Sequence, residues 1–429
     1  MKFLVDKKIG LLFILLLIIS WLYPTYFISD DWEHLDSIYK NGSNTYIKFW
    51  IYRIPSLYFS HTTLFPLFQN EYFMLANLVC WFFFFLGTLY ALETFKILDR
   101  IKKESTWFFL GFFLMLSFNH TNFEFILWPS FMVNFPGYFL VILGFYLTKR
   151  FSSIWLQLLK AIFWTIGFYF TESLFFMGAL LEIAYILWFQ ADNNLIDKFK
   201  ELLKQTIIPF LFVFVSKVIL TYLKPYGYAA ALGFKPHLFS QTLSLIFLHD
   251  YYKVRWLTGS LALISYLAMT FWIFRDRGAK NFLKTEALFA VIILVSTSYY
   301  FIVMDYSARR AIGGQLFITW GTFCFGYLYL WFRKSECKIR KVVLILFPLC
   351  WLAHSVYVIN LKLGDRSAFR RNAEVLRSKL KSEKLPVNVQ RMDIMKDVNT
   401  GWNLVNKKQK SGWMRHFFNK DELKQFDYE

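Results

Sequence analysis

Hydrophobic runs of roughly 15 to 25 residues recur along most of this chain, separated by short connections that carry Lys and Arg. At 1.5 Å per residue, a helix of about 20 such residues spans the hydrocarbon core of a bilayer. Hydrophobic residues make up 57% of the sequence and aromatic residues 22%, which leaves too little polar surface to cover a water-soluble globule. The chain therefore reads as an all-α polytopic membrane protein with about eleven spans. The runs lie at 9–28, 72–95, 106–118, 124–147, 154–170, 173–189, 206–223, 258–274, 285–303, 312–332 and 341–360. The first follows Lys2, Lys7 and Lys8 and shows no small-x-small cleavage site before Tyr23-Pro24, so it reads as a retained helix and not a removed signal.

The formal net charge of +19 would point to nucleic acid in a soluble protein. Here the basic residues sit in alternate connections: Lys96, Arg100, Lys102 and Lys103; Lys149 and Arg150; Lys198, Lys200 and Lys204; Arg275, Arg277, Lys280 and Lys284; and Arg333 to Lys341. The positive-inside rule makes these connections and the N-terminus cytoplasmic, in a plasma (inner) membrane, with no nucleic-acid partner. The opposite, extracytoplasmic face then receives the loop 29–71, the turns near His120 and Thr171, the loop 224–257, the turn 304–311 and the C-terminal tail. Cys80, Cys324, Cys337 and Cys350 form no Cys-x-x-Cys pair and imply neither a disulfide framework nor a metal cluster.

Two parts follow from the hydropathy: a membrane domain at 1–360 and a small basic extracytoplasmic domain at 361–429. The tail holds 16 Lys+Arg against 9 Asp+Glu. Residues 368–384 read as an amphipathic helix through Ala373, Val375, Leu376 and Leu380, and 386–390 as a strand. The tail is long enough for a small packed unit and too short for a large core.

The unusual polar residues collect on the outer face. Ile28-Ser29-Asp30-Asp31-Trp32-Glu33-His34-Leu35 follows the first span without a spacer. Two carboxylates where a chain leaves the bilayer are costly to hold, and a carboxylate there can take a proton from an acceptor hydroxyl beside a lipid-linked donor. The competing reading is that Asp30 and Asp31 cap a helix or solvate a loop. Glu33 and His34 beside the pair, and Arg53 in the aromatic stretch 46–59, are candidate substrate contacts, and that stretch suits an interfacial helix in the headgroup layer. Glu124 enters a helix one turn before Trp128-Pro129, and Glu172 stands in the turn Phe170-Thr171-Glu172-Ser173; either can equally serve a helix N-terminus. Arg309 and Arg310 precede a span on the face that the positive-inside rule disfavours, which suits a guanidinium pair that grips phosphate. Lys235, Lys253 and Arg255, in the loop 224–257, offer a second phosphate contact.

Other chemistries lack their residues. His34, His120, His237 and His249 have no zinc-ligand spacing, and neither a Gly-x-x-x-x-Gly-Lys-Ser/Thr loop nor a Gly-x-Ser-x-Gly elbow occurs.

The acidic pair after the first span, Glu124-x-x-x-Trp128 after a short outer turn, the Thr171-Glu172-Ser173 turn and the Arg309-Arg310 stretch together resemble the GT-C superfamily of integral membrane glycosyltransferases, over residues 9–360. The resemblance implies a polyprenyl-phosphate-linked sugar donor, a glycan, lipid or protein acceptor of the cell envelope, and inversion at the anomeric carbon. It implies Asp31 or Asp30 as general base, Arg309 and Arg310 on the donor phosphate, and Glu124 and Glu172 as positioning groups. Thr171 departs from the pattern, in which a lysine is common there. Some members use a divalent cation such as Mg or Mn, for which Asp30, Asp31, Glu33 and Glu124 are the candidate ligands.

Two other classes compete. A transporter or flippase of lipid-linked glycans needs ionisable residues near the bilayer midplane, and Lys160, Lys217 and Glu182 are the main ones, each able to snorkel to an interface. A glycan polymerase or an acyltransferase would centre on arginines or a histidine rather than on an acidic pair.

Overall fold

A computed structural model describes residues 6–21, 36, 73–96, 98, 110–111, 114, 134–170, 172–189, 194–223, 339–382, 385–398 and 407–427. These residues are mostly helical. Of the expected spans, 258–274, 285–303 and 312–332 lie wholly outside them, and 106–118 enters only through Leu110, Gly111 and Leu114.

Helix α1 is Lys7–Trp21, α2 Phe73–Thr94, α3 Phe135–Arg150, α4 Ile154–Phe170, α5 Glu172–Phe189 and α6 Leu195–Leu223. Asp6 opens α1 by accepting the backbone N–H groups of Lys8 at 3.1 Å and Ile9 at 3.4 Å, which satisfies donors that a helix start leaves orphaned. Pro136 stands in the first turn of α3, where its fixed φ costs nothing, and Lys149 and Arg150 in the last turn complement the negative end of the helix. The bounds of α2, α4 and α5 fall within one residue of those expected from hydropathy.

Helix α6 starts eleven residues earlier than the expected span at 206. Hydropathy counts Lys198, Lys200 and Lys204 as a connection, whereas Asn194 accepts the N–H of Asp197 at 2.8 Å and starts the helix there.

The helices pack in sequence, α1 on α2, α2 on α3, α3 on α4 and α4 on α6, with α5 against α3, α4 and α6. Between α2 and α3 the contact is aromatic: the Trp81 ring lies 5.2 Å from Phe135, and Phe84 lies 5.1 Å from Tyr138. The Tyr138 hydroxyl shares a buried 3.0 Å hydrogen bond with Thr88. Away from these contacts the surface stays apolar. Among the described residues two helical stretches, Leu75–Thr94 and Ile196–Ile219, are long and apolar enough to cross a bilayer. Only 17% of the second is buried, and Phe210, Leu211, Phe214 and Val218 are all exposed. Exposed apolar surfaces of that extent mark contact with lipid or with a protein partner.

The next described helix, α7, runs unbroken over Ile339–Ser382. The expected span 341–360, the expected domain boundary at 360 and most of the expected amphipathic helix 368–384 all fall inside it. At 1.5 Å per residue its 44 residues extend about 66 Å, roughly twice the hydrocarbon thickness. Its first half carries Trp351 and Ser355 into buried positions, and Pro348 faces Gly111, where a Cβ would meet the proline Cα at 2.5 Å.

Its second half founds a small C-terminal unit, completed by β1 (Val387–Asn388), α8 (Arg391–Met395), α9 (Lys407–Phe417), α10 (Lys420–Leu423) and β2 (Phe426–Asp427). The strand expected at 386–390 is β1, paired in parallel with β2 through Val387↔Phe426 and Asn388↔Asp427. Phe369, Ala373 and Leu376 turn inward at helical spacing, while Val375, expected on that face, is exposed. Trp413, Met414, Phe418 and Phe426 fill the other side of this core. The buried Asn372 amide donates to the carbonyls of Ile394 and Lys396, both at 2.9 Å, and so ties α7 to α8.

Candidate functional site

The segment 29–71, expected as the first outer loop, enters the described structure at Asp36, and that residue is docked. Its side chain is 8% exposed. The Oδ1 atom accepts the Ser411 hydroxyl at 2.7 Å and Arg415 Nε at 2.8 Å. Ser411 and Arg415 are one turn apart on α9, so they present donors from one face. Helix α9 is itself fixed, because Trp413 and Met414 between them are fully buried in the unit's core. A buried carboxylate without partners would cost several kcal/mol, so the Ser411 and Arg415 contacts from α9 help to stabilise Asp36 where it stands.

A second polar cluster lies inside the helical bundle. Lys160 Nζ, fully buried on α4, donates to Glu182 Oε1 of α5 at 2.5 Å and to the Gln205 carbonyl of α6 at 2.8 Å. Lys149, near the end of α3, pairs with the other carboxylate oxygen, Glu182 Oε2, at 2.5 Å and lies 4.7 Å from the Tyr185 ring centroid. The Gln205 amide in turn donates to Glu201 at 2.7 Å. Helices α3, α4 and α5 thus meet on one carboxylate, and α6 joins them through Lys160. Gly144 makes the approach of α3 and α4 close, since a Cβ there would lie 3.1 Å from Lys160 Cα.

Lys160 and Glu182, for which the sequence left both a midplane position and snorkelling open, satisfy each other in the bundle interior. The third residue of that set, Lys217, lies 5.3 Å from the Phe168 ring centroid.

Asp30, Asp31, Glu33, His34, Arg53, Glu124, Lys235, Lys253, Arg255, Arg309 and Arg310 lie outside the described residues, and Glu172 enters only through its backbone, as the first residue of α5. The candidate metal ligands Asp30, Asp31, Glu33 and Glu124 are among these, and among the described residues no group of three or more His, Cys, Asp or Glu could hold a metal ion. The structure brings together a set that sequence reasoning missed, Asp36 with Ser411 and Arg415. No local signal could have found it, since 375 and 379 residues separate the partners. The Lys160–Glu182 pair did carry a signal, as two opposite charges inside apolar runs must each find a partner.

Comparisons with protein-family models, with curated proteins and with solved structures return no match to this chain.

Proposed function

We propose that this chain is an integral membrane glycosyltransferase that moves a sugar from a polyprenyl-phosphate-linked donor to a cell-envelope glycan, lipid or protein. In this reading about eleven spans cross the membrane, the N-terminus is cytoplasmic, and the first outer loop and the C-terminal unit share the extracytoplasmic face. One observation carries it. Asp36, five residues after Asp31, is bound to α9 of the C-terminal unit, so the chain is tied to that unit five residues beyond the acidic pair. A loop that served only as a solvated connector would have no need to bury a carboxylate.

The chemistry follows from the residue types. Asp31 or Asp30 accepts the proton of the acceptor hydroxyl, and the freed oxygen attacks the anomeric carbon as its bond to the phosphate oxygen breaks. Configuration inverts in this single displacement. The polyprenyl phosphate departs with the bonding electron pair, and Arg309 and Arg310 stabilise the charge that it takes on. Glu172, at the start of α5, and Glu124 order the substrate or the basic groups, and Lys235, Lys253 and Arg255 supply a second phosphate contact.

The transporter or flippase reading draws on the buried Lys149–Glu182–Lys160 set, since ionisable groups inside spans mark transport paths in many proteins. Both lysines, however, are already paired with one glutamate, and Lys160 is held further by Gln205, as expected for a structural tie. Membranes that carry the chain, supplied with a radiolabelled polyprenyl-phosphate hexose pool, separate the two readings. Transfer gives a labelled product of inverted anomeric configuration and free polyprenyl phosphate. Transport moves intact lipid-linked sugar between leaflets and forms neither.

A further inference from the structure

We infer that the first three turns of α6 are a binding surface for the anionic lipid headgroups of the leaflet that they cross, read by Lys200 and Lys204; this rests on the membrane reading and not on the transferase chemistry. The depth of the surface is set by the neighbouring helix. Gln157 of α4 donates to Gln205 of α6 at 3.3 Å, and the hydroxyls of Tyr169 of α4 and Ser216 of α6 are 2.8 Å apart, so the two helices run in parallel with an offset of 47 to 48 residues. Trp155, two residues before Gln157, therefore stands at the depth of Leu203, and it is 75% exposed. An exposed Trp at the end of an apolar helix marks the level where hydrocarbon gives way to headgroups. From Leu203 back to its first residue, Leu195, α6 continues for about 12 Å, enough to cross a headgroup layer of roughly 5–8 Å.

Through that layer the outward face stays apolar. Ile196 and Phe199 are 66% and 58% exposed, and they continue the exposed stripe of Leu203, Ile207, Phe210 and Phe214 at spacings of three and four residues. Charge decides between lipid and protein as the occupant. Lys200 and Lys204 are exposed one turn apart beside this stripe, and both lie within a turn of the Trp155 level. Lys204 has a side chain that is 75% exposed, with Glu201 only at 4.0 Å. The other oxygen of Glu201 accepts the amide of the buried Gln205, which turns that carboxylate toward the bundle. Asp197, one turn below Lys200, stands in the first turn, where a carboxylate complements the positive end of the helix. The outward face thus offers two ammonium groups at headgroup depth and an apolar stripe beside them for acyl chains. A lysine stem can lie along such a stripe while its ammonium reaches lipid phosphate. Each cation near an anionic leaflet strengthens attraction by about fivefold, so the pair together favours anionic over zwitterionic lipid by about twenty-five-fold.

The test uses the full-length chain in phosphatidylcholine vesicles that hold a trace of a photoactivatable lipid, its diazirine near the headgroup and its head either phosphatidylglycerol or phosphatidylcholine. Cross-linked peptides report which residues each probe touches. Residues 196–207 are expected to take up the phosphatidylglycerol probe at least about tenfold more than the phosphatidylcholine probe. Lys200→Gln and Lys204→Gln should each lower that ratio about fivefold, and together bring it within about twofold of unity. Lys200→Arg with Lys204→Arg should keep it, because the charge is retained. A ratio near unity in the wild type, or one that survives both glutamine substitutions, overturns the proposal and leaves the membrane reading intact. So does a wild-type chain labelled on the exposed Leu11 and Ile14 of α1 but not on 196–207, since protein then covers that face. Release of the chain from membranes by an alkaline wash overturns the membrane reading and the proposal together.

Discussion

Glu182→Gln is the most informative perturbation of the helical bundle, because one carboxylate pairs with two buried lysines. Lys160 is fully buried and Lys149 only 9% exposed at the side chain. Removing one partner of a buried pair typically costs about 3–5 kcal/mol, most of it for the charge left behind. Here the two lysines would also face one another across a neutral amide. Two features reduce the penalty: Lys160 keeps the Gln205 carbonyl at 2.8 Å, and Lys149 stands at the end of α3, from which its long side chain can reach an interface. The lower end, about 3 kcal/mol, is the expected loss, equivalent to about two decades in the folded-to-unfolded ratio.

The assay is survival of the monodisperse peak of the detergent-solubilised chain at fixed temperature, compared among wild type, Glu182→Gln and the double variant Lys160→Met with Glu182→Leu. Glu182→Gln should shorten the half-life at least tenfold. The double variant should survive longer than Glu182→Gln, because replacing both members of a buried pair by packed apolar groups is often neutral or stabilising. Equal half-lives for wild type and Glu182→Gln, or a double variant worse than the single one, would refute the assignment of this cluster as an ion-paired structural tie.

Three further outcomes follow from the geometry. Gly111→Ala places a Cβ 2.5 Å from Pro348 Cα and must push α7 away from its neighbour, so heat-induced loss of the solubilised chain should begin at lower temperature by an amount that corresponds to about 1–3 kcal/mol. Asn372→Leu strands the carbonyls of Ile394 and Lys396 and should cost the C-terminal unit about 1–3 kcal/mol, seen as faster proteolysis of the tail with the membrane helices untouched. Arg309→Ala should raise the donor KM more than it lowers kcat, since its proposed partner is the donor phosphate both before and during the reaction; an unchanged KM would remove that contact.

Helices whose periphery is all apolar were legible because length and hydropathy alone decide them, which is why α4 and α5 agree with their expected bounds. The errors occur where a helix changes environment. Helix α6 passes from polar to apolar sequence and α7 from apolar to polar, each without a break although Pro209 and Gly364 stand near the hydropathy boundaries, so hydropathy placed an end where hydrogen bonding places none. Within α7 the inward face is set by the tertiary core, hence Val375 lies outside and Phe369 inside. The same limit applies to the candidate site. Asp30 and Asp31 stand out by their position after a span, whereas Asp36 is an ordinary acidic residue until α9 is brought to it from the other end of the chain.

Sugar transfer by wild type, Asp30→Asn and Asp31→Asn, at equal amounts of inserted protein, tests the central claim most directly. An amide at the base position keeps the size of the side chain but cannot take up the acceptor's proton. The account predicts that transfer from the radiolabelled polyprenyl-phosphate hexose pool falls by at least about a hundredfold in one of the two variants, with donor binding retained. Full transfer in both variants would contradict it.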